Sequence, residues 1–520
     1  MGNNWMIPRN KRKLLPVVDV LSLFTLENSG VEWGNLAAQR DFEDALERFG
    51  LKRPGSRRDG RAGGARTYEA WLSNLGLIFK ETSTGLVRTT LAGEALLAGE
   101  PPVPILTNQL MKLQYPSPYS IRTNVNINRR FRIRPFRFLL RLLMDSRVFT
   151  LSNDEIAYLI VPLTEDESVA SFEETVERIQ VYRATGLHTL PANFGEIYRS
   201  RVGIRSDEKT LEEFRTIANT FVNYLEYTQL IVRDRNDEGS FIRVHGGARP
   251  MVNEILNDGT SIRNLDMQNP FGIENFQRGF GLAPGQNRDN RTFNVHTTSV
   301  NLYRNRRVRS EVLHLSASRP IVAIDAALIN EVSTITGYTV HEVESALHGF
   351  EPNTLSQFES NYLDMAVSGT VRATEFETAT TEIFEELGFN AQHVGPRPLH
   401  PDIFVESRLD FSGIIDTKAI RLYSPNNDHR NRMIRNYIPT YQEQYDNLEF
   451  FMYIADSFSP SYANKIQRIV SETDVNGSGL TAYNLLQLLN RHLNNPIGHE
   501  GLRDLFQKNS VISLGEINDL

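Results

Sequence analysis

The sequence predicts a multidomain α+β protein: a mostly helical N-terminal region followed by a C-terminal α/β domain, whose mixed sheet is flanked by helices. Three observations lead there. The chain has 520 residues, more than one ordinary hydrophobic core serves. Helical periodicity with short hairpins runs through the first three hundred or so residues. Beyond Val367 the order becomes helix, strand, strand, helix. The expected boundaries are 1–318 for the N-terminal region, in two subdomains of about 1–160 and 161–318. Residues 319–367 form a helical connector, and 368–520 the C-terminal domain.

Composition narrows the class. Apolar residues make up 40% and charged residues 23%, as in soluble globular proteins. The absence of cysteine removes disulfides, Cys-ligated zinc and thiol nucleophiles. No apolar run approaches the roughly 18 residues of a membrane span, and Met1 to Val17 lacks a signal-peptide core. A cytoplasmic protein without a membrane partner is expected. The net charge of −7 does not suggest a nucleic-acid binder, but the charge is unevenly spread. Ile121 to Thr150 holds eight arginines and one acid, a local charge of +7. Phosphate contacts depend on such local cations.

In chain order, Gly34–Phe49 has the apolar spacing of a helix, and Tyr68–Leu77 reads as another ending at Gly76. Leu77–Thr90 reads as a strand, a Ser-Thr-Gly turn and a strand, and Leu91–Ala98 as a helix. Helices followed by a small hairpin suggest winged-helix-like modules. Pro135 starts a helix at an allowed first-turn position. Ser152 and Glu155 form a capping box for Ser152–Val161. Glu167–Arg183 and Lys209–Tyr227 are long amphipathic helices. Ile231–Val244 is a hairpin turning at Asn236–Gly239. Asp258–Asn294 reads as a long loop region, and Pro320–Tyr362 as helical.

The strongest signal is His400–Ile420, HPDIFVESRLDFSGIIDTKAI. It reads as two strands around a tight turn at Ser407–Asp410. A hairpin centred on Leu409 pairs residues whose numbers sum to 818. Asp402 and Asp416 are such a pair. Alternation along the strand then puts Asp416 and Lys418 on one face. The preceding helix, Ala373–Leu387, carries five glutamates. Glu375, Glu382 and Glu386 lie on its solvated side. Glu377 lies in line with Thr380, Phe384 and Leu387, toward the sheet. A carboxylate there needs a partner, and a metal ion is a natural one.

Two or three carboxylates supply hard oxygen ligands that suit Mg²⁺ together with a substrate phosphate. Glu377, Asp402 and Asp416 are therefore the expected metal ligands. With Lys418, which can orient water or stabilise developing charge, they form the expected catalytic group for phosphodiester hydrolysis.

The order Glu377, Pro401–Asp402, Asp416–Thr417–Lys418 resembles the PD-(D/E)xK nuclease superfamily. The wider sequence resembles the AlwI-like type IIS restriction endonucleases and their nicking relatives. That likeness is carried by RTTLAGEALL (Arg88–Leu97), LTNQLMKLQYPSPY (Leu106–Tyr119), IRPFRFLLRLL and LSNDEIAYLI (Ile133–Ile160), ANTFVNYLEYTQLIV (Ala218–Val232), and the spacing Phe376–Glu377 to Leu387–Gly388. The resemblance implies an N-terminal DNA-recognition region aiming a C-terminal cleavage domain at a fixed offset from a short asymmetric double-stranded site. Some nicking relatives have Glu where Asp416 stands and lack the lysine; here Asp-Thr-Lys is intact. One such centre cuts one strand per visit. Double-strand cleavage then requires a transient homodimer, a second nuclease subunit or sequential nicking.

Candidate DNA contacts are Arg129, Arg130, Arg132 and Arg134 in NRRFRIRPFRFLLR, Gln109 and Gln114 in the segment shared with the family, Arg66 at the end of the Gly-rich basic run Arg53–Arg66, and Arg430 beside His429 and Arg432. Competing readings are a winged-helix DNA-binding regulator with a structural C-terminal domain, a strand-specific nicking subunit of a heterodimeric enzyme, and a nonspecific repair nuclease.

Overall fold

The structure, a computed structural model, describes residues 3–520 except 29–31, 56–61, 187–193, 198–205, 237–238, 294–299, 349, 351–354, 396–398 and 446. The chain divides into two compact units: Met1–His314 with Ala323–Asn353, and Leu315–Val322 with Thr354–Leu520. The helices Ala326–Thr336 and Val340–Leu347 thus belong to the first unit, and Leu355–Met365 to the second.

The first unit begins with helices Val17–Glu27, Leu36–Arg48 and Gly63–Asn74. An antiparallel pair, β1 (Ile78–Lys80) and β2 (Val87–Thr89), follows, and then the helix Leu91–Leu97. Asn35 and Thr90 accept backbone N–H bonds at two of these helix starts, which relieves otherwise orphaned donors. The third helix starts five residues before the sequence signal, because Gly63 and Gly64 are drawn into its first turn. Pro135 opens the helix Pro135–Met144. The Ser152–Glu155 capping box is present. After one turn that helix widens into a π-helix over Ile156–Ile160, which periodicity does not distinguish from an α-helix.

β3 (Leu151–Ser152) joins β4 (Ile231–Asn236) and β5 (Gly239–Val244) in a small antiparallel sheet. The tip of the β4–β5 hairpin and residues 56–61 of the basic run Arg53–Arg66 lie outside the described residues. The expected loop region Asp258–Asn294 contains the helix Gly272–Phe280. Its weak periodicity hides a buried face of Phe276, Gln277 and Phe280.

The second unit is built on one mixed five-stranded sheet, ordered β10-β9-β8-β7-β6. β6 (Asn390–His393), β7 (Ile403–Glu406) and β8 (Ser412–Thr417) are antiparallel. β9 (Leu448–Ala455) and β10 (Asn476–Thr481) add in parallel to β8. β6 is a strand that the sequence reading omitted: NAQH carries no run of β-branched residues. Side-chain alternation builds two cores. Ile403, Val405, Ile415, Phe450, Met452 and Ile454 face the helices Ala373–Glu386, Ala482–Asn494 and His499–Phe506. Phe404, Ile414, Phe451, Tyr453 and Ala455 face Met433–Gln444 and Tyr462–Thr473. Burial on both faces explains why β8 is buried at every position. Gly413 and Gly477 lie beneath Phe450 and Phe451. A Cβ at either would come within 2.1 Å of a ring carbon, so only glycine lets the strands close.

Candidate active site

The site grows from the β7–β8 hairpin. Its register is Ile403↔Ile415, Phe404↔Ile414, Val405↔Gly413 and Glu406↔Ser412, the pairing a centre at Leu409 dictates. Ser407 N–H donates to Phe411 O at 2.8 Å, and Asp410 takes the left-handed conformation (φ 60°) that closes the turn. Asp402 precedes β7 and Asp416 is the penultimate residue of β8, so the hairpin delivers both to one sheet end.

The Asp402 carboxylate reaches across to the neighbour of Asp416. Its Oδ2 accepts from Thr417 N–H at 2.6 Å and from Thr417 Oγ1 at 3.0 Å. Its Oδ1 has no hydrogen-bond partner among the described residues. Asp416 is 5% exposed, and its Oδ2 lies 2.5 Å from Lys418 Nζ. That ammonium also donates to Thr417 O at 3.0 Å. The middle residue of Asp-Thr-Lys, treated as a spacer in the sequence reading, therefore ties the two acids together.

Electrostatics follow from this crowding. Burial pushes Asp402 up to about 7, and the Asp416 charge adds to it; Lys418 and the Thr417 N–H pull in the other direction. Burial lowers Lys418, but Asp416 and Asp402 outweigh it and hold the ammonium above its ordinary value. A buried acid, Asp416, and a partly buried one, Asp402, share one lysine, so the site has a local excess of acidic groups.

Glu377 comes from the helix Ala373–Glu386. Phe376, Ala379, Thr380, Ile383 and Phe384 are buried there, and Glu375 is exposed and paired with Arg372 at 2.7 Å. The Glu377 side chain is 16% exposed, and its Oε2 lies 2.8 Å from His393 Nε2. This helix packs on the Ile403 and Ile415 face. Asp416 alternates onto the face of Ile414, where its charge acts on Tyr423, Tyr437 and Tyr453. Asp402 sits between, close enough to feel both Asp416 and Glu377. The four expected residues thus converge on one sheet end, but Glu377 approaches from the Asp402 side. Among the described residues, no three His, Asp or Glu side chains are arranged as a ready metal cage.

Sequence reasoning assigned His393 no role at this site, because its strand was not recognised. It also left Tyr437 unremarked. The Tyr437 hydroxyl sits among Asp416, Lys418 and Arg432 and is raised chiefly by burial. Nearby, His400 Nδ1 lies 3.3 Å from Tyr441 OH, and His429 Nδ1 lies 3.1 Å from Tyr423 OH. Arg430 is half-buried and donates to Asn427 at 3.2 Å.

The expected DNA-contact residues of the first unit divide sharply. Arg129 and Arg132 are exposed and make no ion pair with a described residue. Arg66 is also exposed. Arg130 pairs with Glu165 at 3.1 Å. Arg134 is 9% exposed and pairs with Glu167 at 2.7 Å, while its Nη1 donates to Thr260. Gln109 is fully buried and its amide donates to Leu75 O and Phe280 O, each at 3.1 Å. Gln114 donates to Pro116 O and Arg263 O and accepts from Arg263 N–H. As the fold places them, Arg134, Gln109 and Gln114 brace the interior, because their polar groups are spent on neighbouring backbone and acids.

Comparison with known proteins gives two family matches. Residues 337–513 match the FokI cleavage domain, and residues 73–274 match the AlwI restriction endonuclease. Both are restriction-endonuclease families. The resemblance to AlwI-like enzymes drawn from the sequence is borne out over residues 73–274, and the C-terminal stretch matches a cleavage domain. The type II restriction enzyme StsI of Streptococcus sanguinis is 30% identical over 141 residues, which span 24% of this chain and 23% of that enzyme. Among solved structures, restriction endonuclease FokI is 13% identical with a TM-score of 0.28, covering 98% of this chain and 99% of that one. The BpuJ1 endonuclease binding domain is 15% identical with a TM-score of 0.34, covering 48% of this chain and 84% of that one. Among the described residues, no helix is long and apolar enough to cross a membrane.

Proposed function

We propose that this chain is a type IIS restriction endonuclease. It recognises a short asymmetric sequence in double-stranded DNA and hydrolyses phosphodiester bonds at a fixed offset, with Mg²⁺ as cofactor. The observation that carries the reading is the meeting of Asp402 and Asp416 at one hairpin end, with Thr417 on Asp402 and Lys418 on Asp416. The two endonuclease-family matches and the partial likeness to StsI support it.

The donor set fits a hard dication. Burial, with the Asp416 charge adding to it, raises Asp402 to about 7, and extra positive charge would favour the ionised form of both acids. Mg²⁺ commonly uses one or two carboxylates and keeps the rest of its coordination for water and phosphate. Asp402 and Asp416 would hold it, with Glu377 as a third acid on the Asp402 side. When bound, the ion neutralises phosphate charge and lowers the pKa of water. Thr417 fixes the Asp402 carboxylate through two hydrogen bonds. Asp416 and the Thr417 carbonyl aim the Lys418 ammonium, which orients the attacking water and stabilises charge that develops on the phosphate.

The superfamily reading, PD-(D/E)xK, rests on Glu377, Asp402, Asp416 and Lys418. A winged-helix-like reading of the first hundred residues is supported by three helices followed by the β1–β2 hairpin. Arg129, Arg132 and Arg66 are the exposed cations assigned to DNA phosphates. A single centre of this kind cuts one strand, and double-strand cleavage calls for a transient homodimer or a second nuclease subunit.

The deciding experiment is run-off sequencing of a mixed-sequence plasmid after incubation with the chain and Mg²⁺. Ends at one fixed distance from a common short motif are expected, and the strands cut report nicking or double-strand cleavage. Scattered ends, or intact DNA with any divalent ion, would overturn the proposal.

A further inference from the structure

The acid that approaches from the helix is not held by its own helix. Glu377 makes one side-chain hydrogen bond, from His393 Nε2 to Oε2 at 2.8 Å. Its Oε1 has no partner among the described residues. His393 is well placed to anchor it. It ends β6 and pairs with Ile403, the residue after Asp402. The two residues that follow, Val394 and Gly395, donate their N–H groups to Asp402 O at 2.8 and 3.2 Å. The same chain segment therefore grips the Asp402 backbone and the Glu377 carboxylate. A point one Cβ length from Gly395 lies 3.3 Å from Glu377 Oε2, 3.6 Å from His393 Nε2 and 3.7 Å from Asp402 Cα. The absence of a side chain at 395 keeps that junction open.

We propose that His393 is a positioning residue: by holding one oxygen of Glu377 beside Asp402 it presents the other to the divalent cation assigned above. The inference rests on the metal-dependent reading of this site. A carboxylate has no proton to give, so the imidazole donates, and a donor clamped to the strand end fixes the rotamer of an otherwise mobile glutamate. Such outer partners of metal-binding carboxylates commonly change metal affinity by about 10- to 100-fold.

The test measures Mn²⁺ binding to the full chain by titration calorimetry without DNA, together with the Mn²⁺ concentration for half-maximal cleavage. His393→Ala is expected to weaken Mn²⁺ binding and raise the cleavage midpoint by about tenfold. His393→Gln returns a donor near the same place and restores most of both. In a Glu377→Ala background, His393→Ala adds little, because the group it positions is gone. A melting temperature for each variant separates loss of fold from loss of positioning.

An unchanged midpoint in folded His393→Ala would overturn the inference, as would an equal shift in the presence and absence of Glu377. If the wild type binds Mn²⁺ and His393→Ala binds it more weakly, but no DNA is cut, the positioning role stands and the endonuclease reading falls. If the wild type binds no Mn²⁺, both fall.

Discussion

Two charged segments, Asn128–Arg141 and His400–Ile420, were both candidate functional segments in the sequence, the second the stronger, and the structure treats them in opposite ways. In the second, Asp402, Asp416 and Lys418 meet as the hairpin arithmetic requires. In the first, the arginines scatter to different fates. Arg134 and Arg137 turn inward to Glu167, Asp258 and Thr260. Asp258 is correspondingly held down at about 2: burial opposes this, but its bonds with Arg137 and Thr260 prevail. Arg129 and Arg132 stay outside. A local turn decides where a hairpin's side chains go. A long flexible cation goes wherever the fold offers an acid.

The largest test of that contrast is at the hairpin. Asp416→Ala is expected to lower the cleavage rate by on the order of 10³-fold or more while specific DNA binding persists, and Asp402→Ala to do the same. Cutting at the wild-type rate by either variant, in a gel-based cleavage assay, would remove both from the catalytic group.

The inward arginines should behave as structural parts. Arg134→Ala loses a charge-assisted network that is mostly buried, and a destabilisation of about 2 kcal/mol is expected. Denaturant unfolding measures it. The salt dependence of DNA binding should not change, and a reduced salt slope with unchanged stability would reverse the assignment.

Asp402 predicts a pH signature in metal-free protein. Its folded value is about 7 against an ordinary 3.8. Between those values the unfolded chain has released a proton that the folded chain retains. Stability therefore falls as pH rises from about 4 to 7 and levels off above. In EDTA, the Asp402→Asn variant should gain in melting temperature over wild type across that window. A gap that stays constant from pH 4 to 8 would show that the carboxyl is not perturbed in the folded state.

The smallest expected effect belongs to the exposed cations. Arg129→Ala and Arg132→Ala should leave the melting temperature unchanged, weaken DNA binding a few-fold and reduce the salt slope by about 1 each. Fluorescence anisotropy at several salt concentrations reads this; an unaltered slope would place the DNA elsewhere.

Much of the second unit was legible because its information is short-range. The Leu409-centred register follows from the turn, and the alternating Ile403, Val405 and Phe404 pattern sorts itself onto two faces. Choosing Glu377 among five glutamates by helix face put it beside Asp402, although its bond to His393 was not foreseeable. β6 is four residues long without a hydrophobic signature, and only its place beside β7 makes it a strand. The helix Gly272–Phe280 was read as loop for a related reason, since its buried face is recognisable only against its neighbours.

The sequence by itself determined the hairpin, the approach of Asp402 to Asp416, the helix carrying Glu377, and the likeness to restriction endonucleases. These depend on turn chemistry, periodicity and residue order, which act over a few residues. Tertiary structure decided which arginines remain available, that Gln109 and Gln114 are interior braces, that Thr417 binds Asp402, and that Glu377 answers to His393. Those outcomes join residues distant in the chain, and their energies depend on burial and on which partner lies within hydrogen-bond reach.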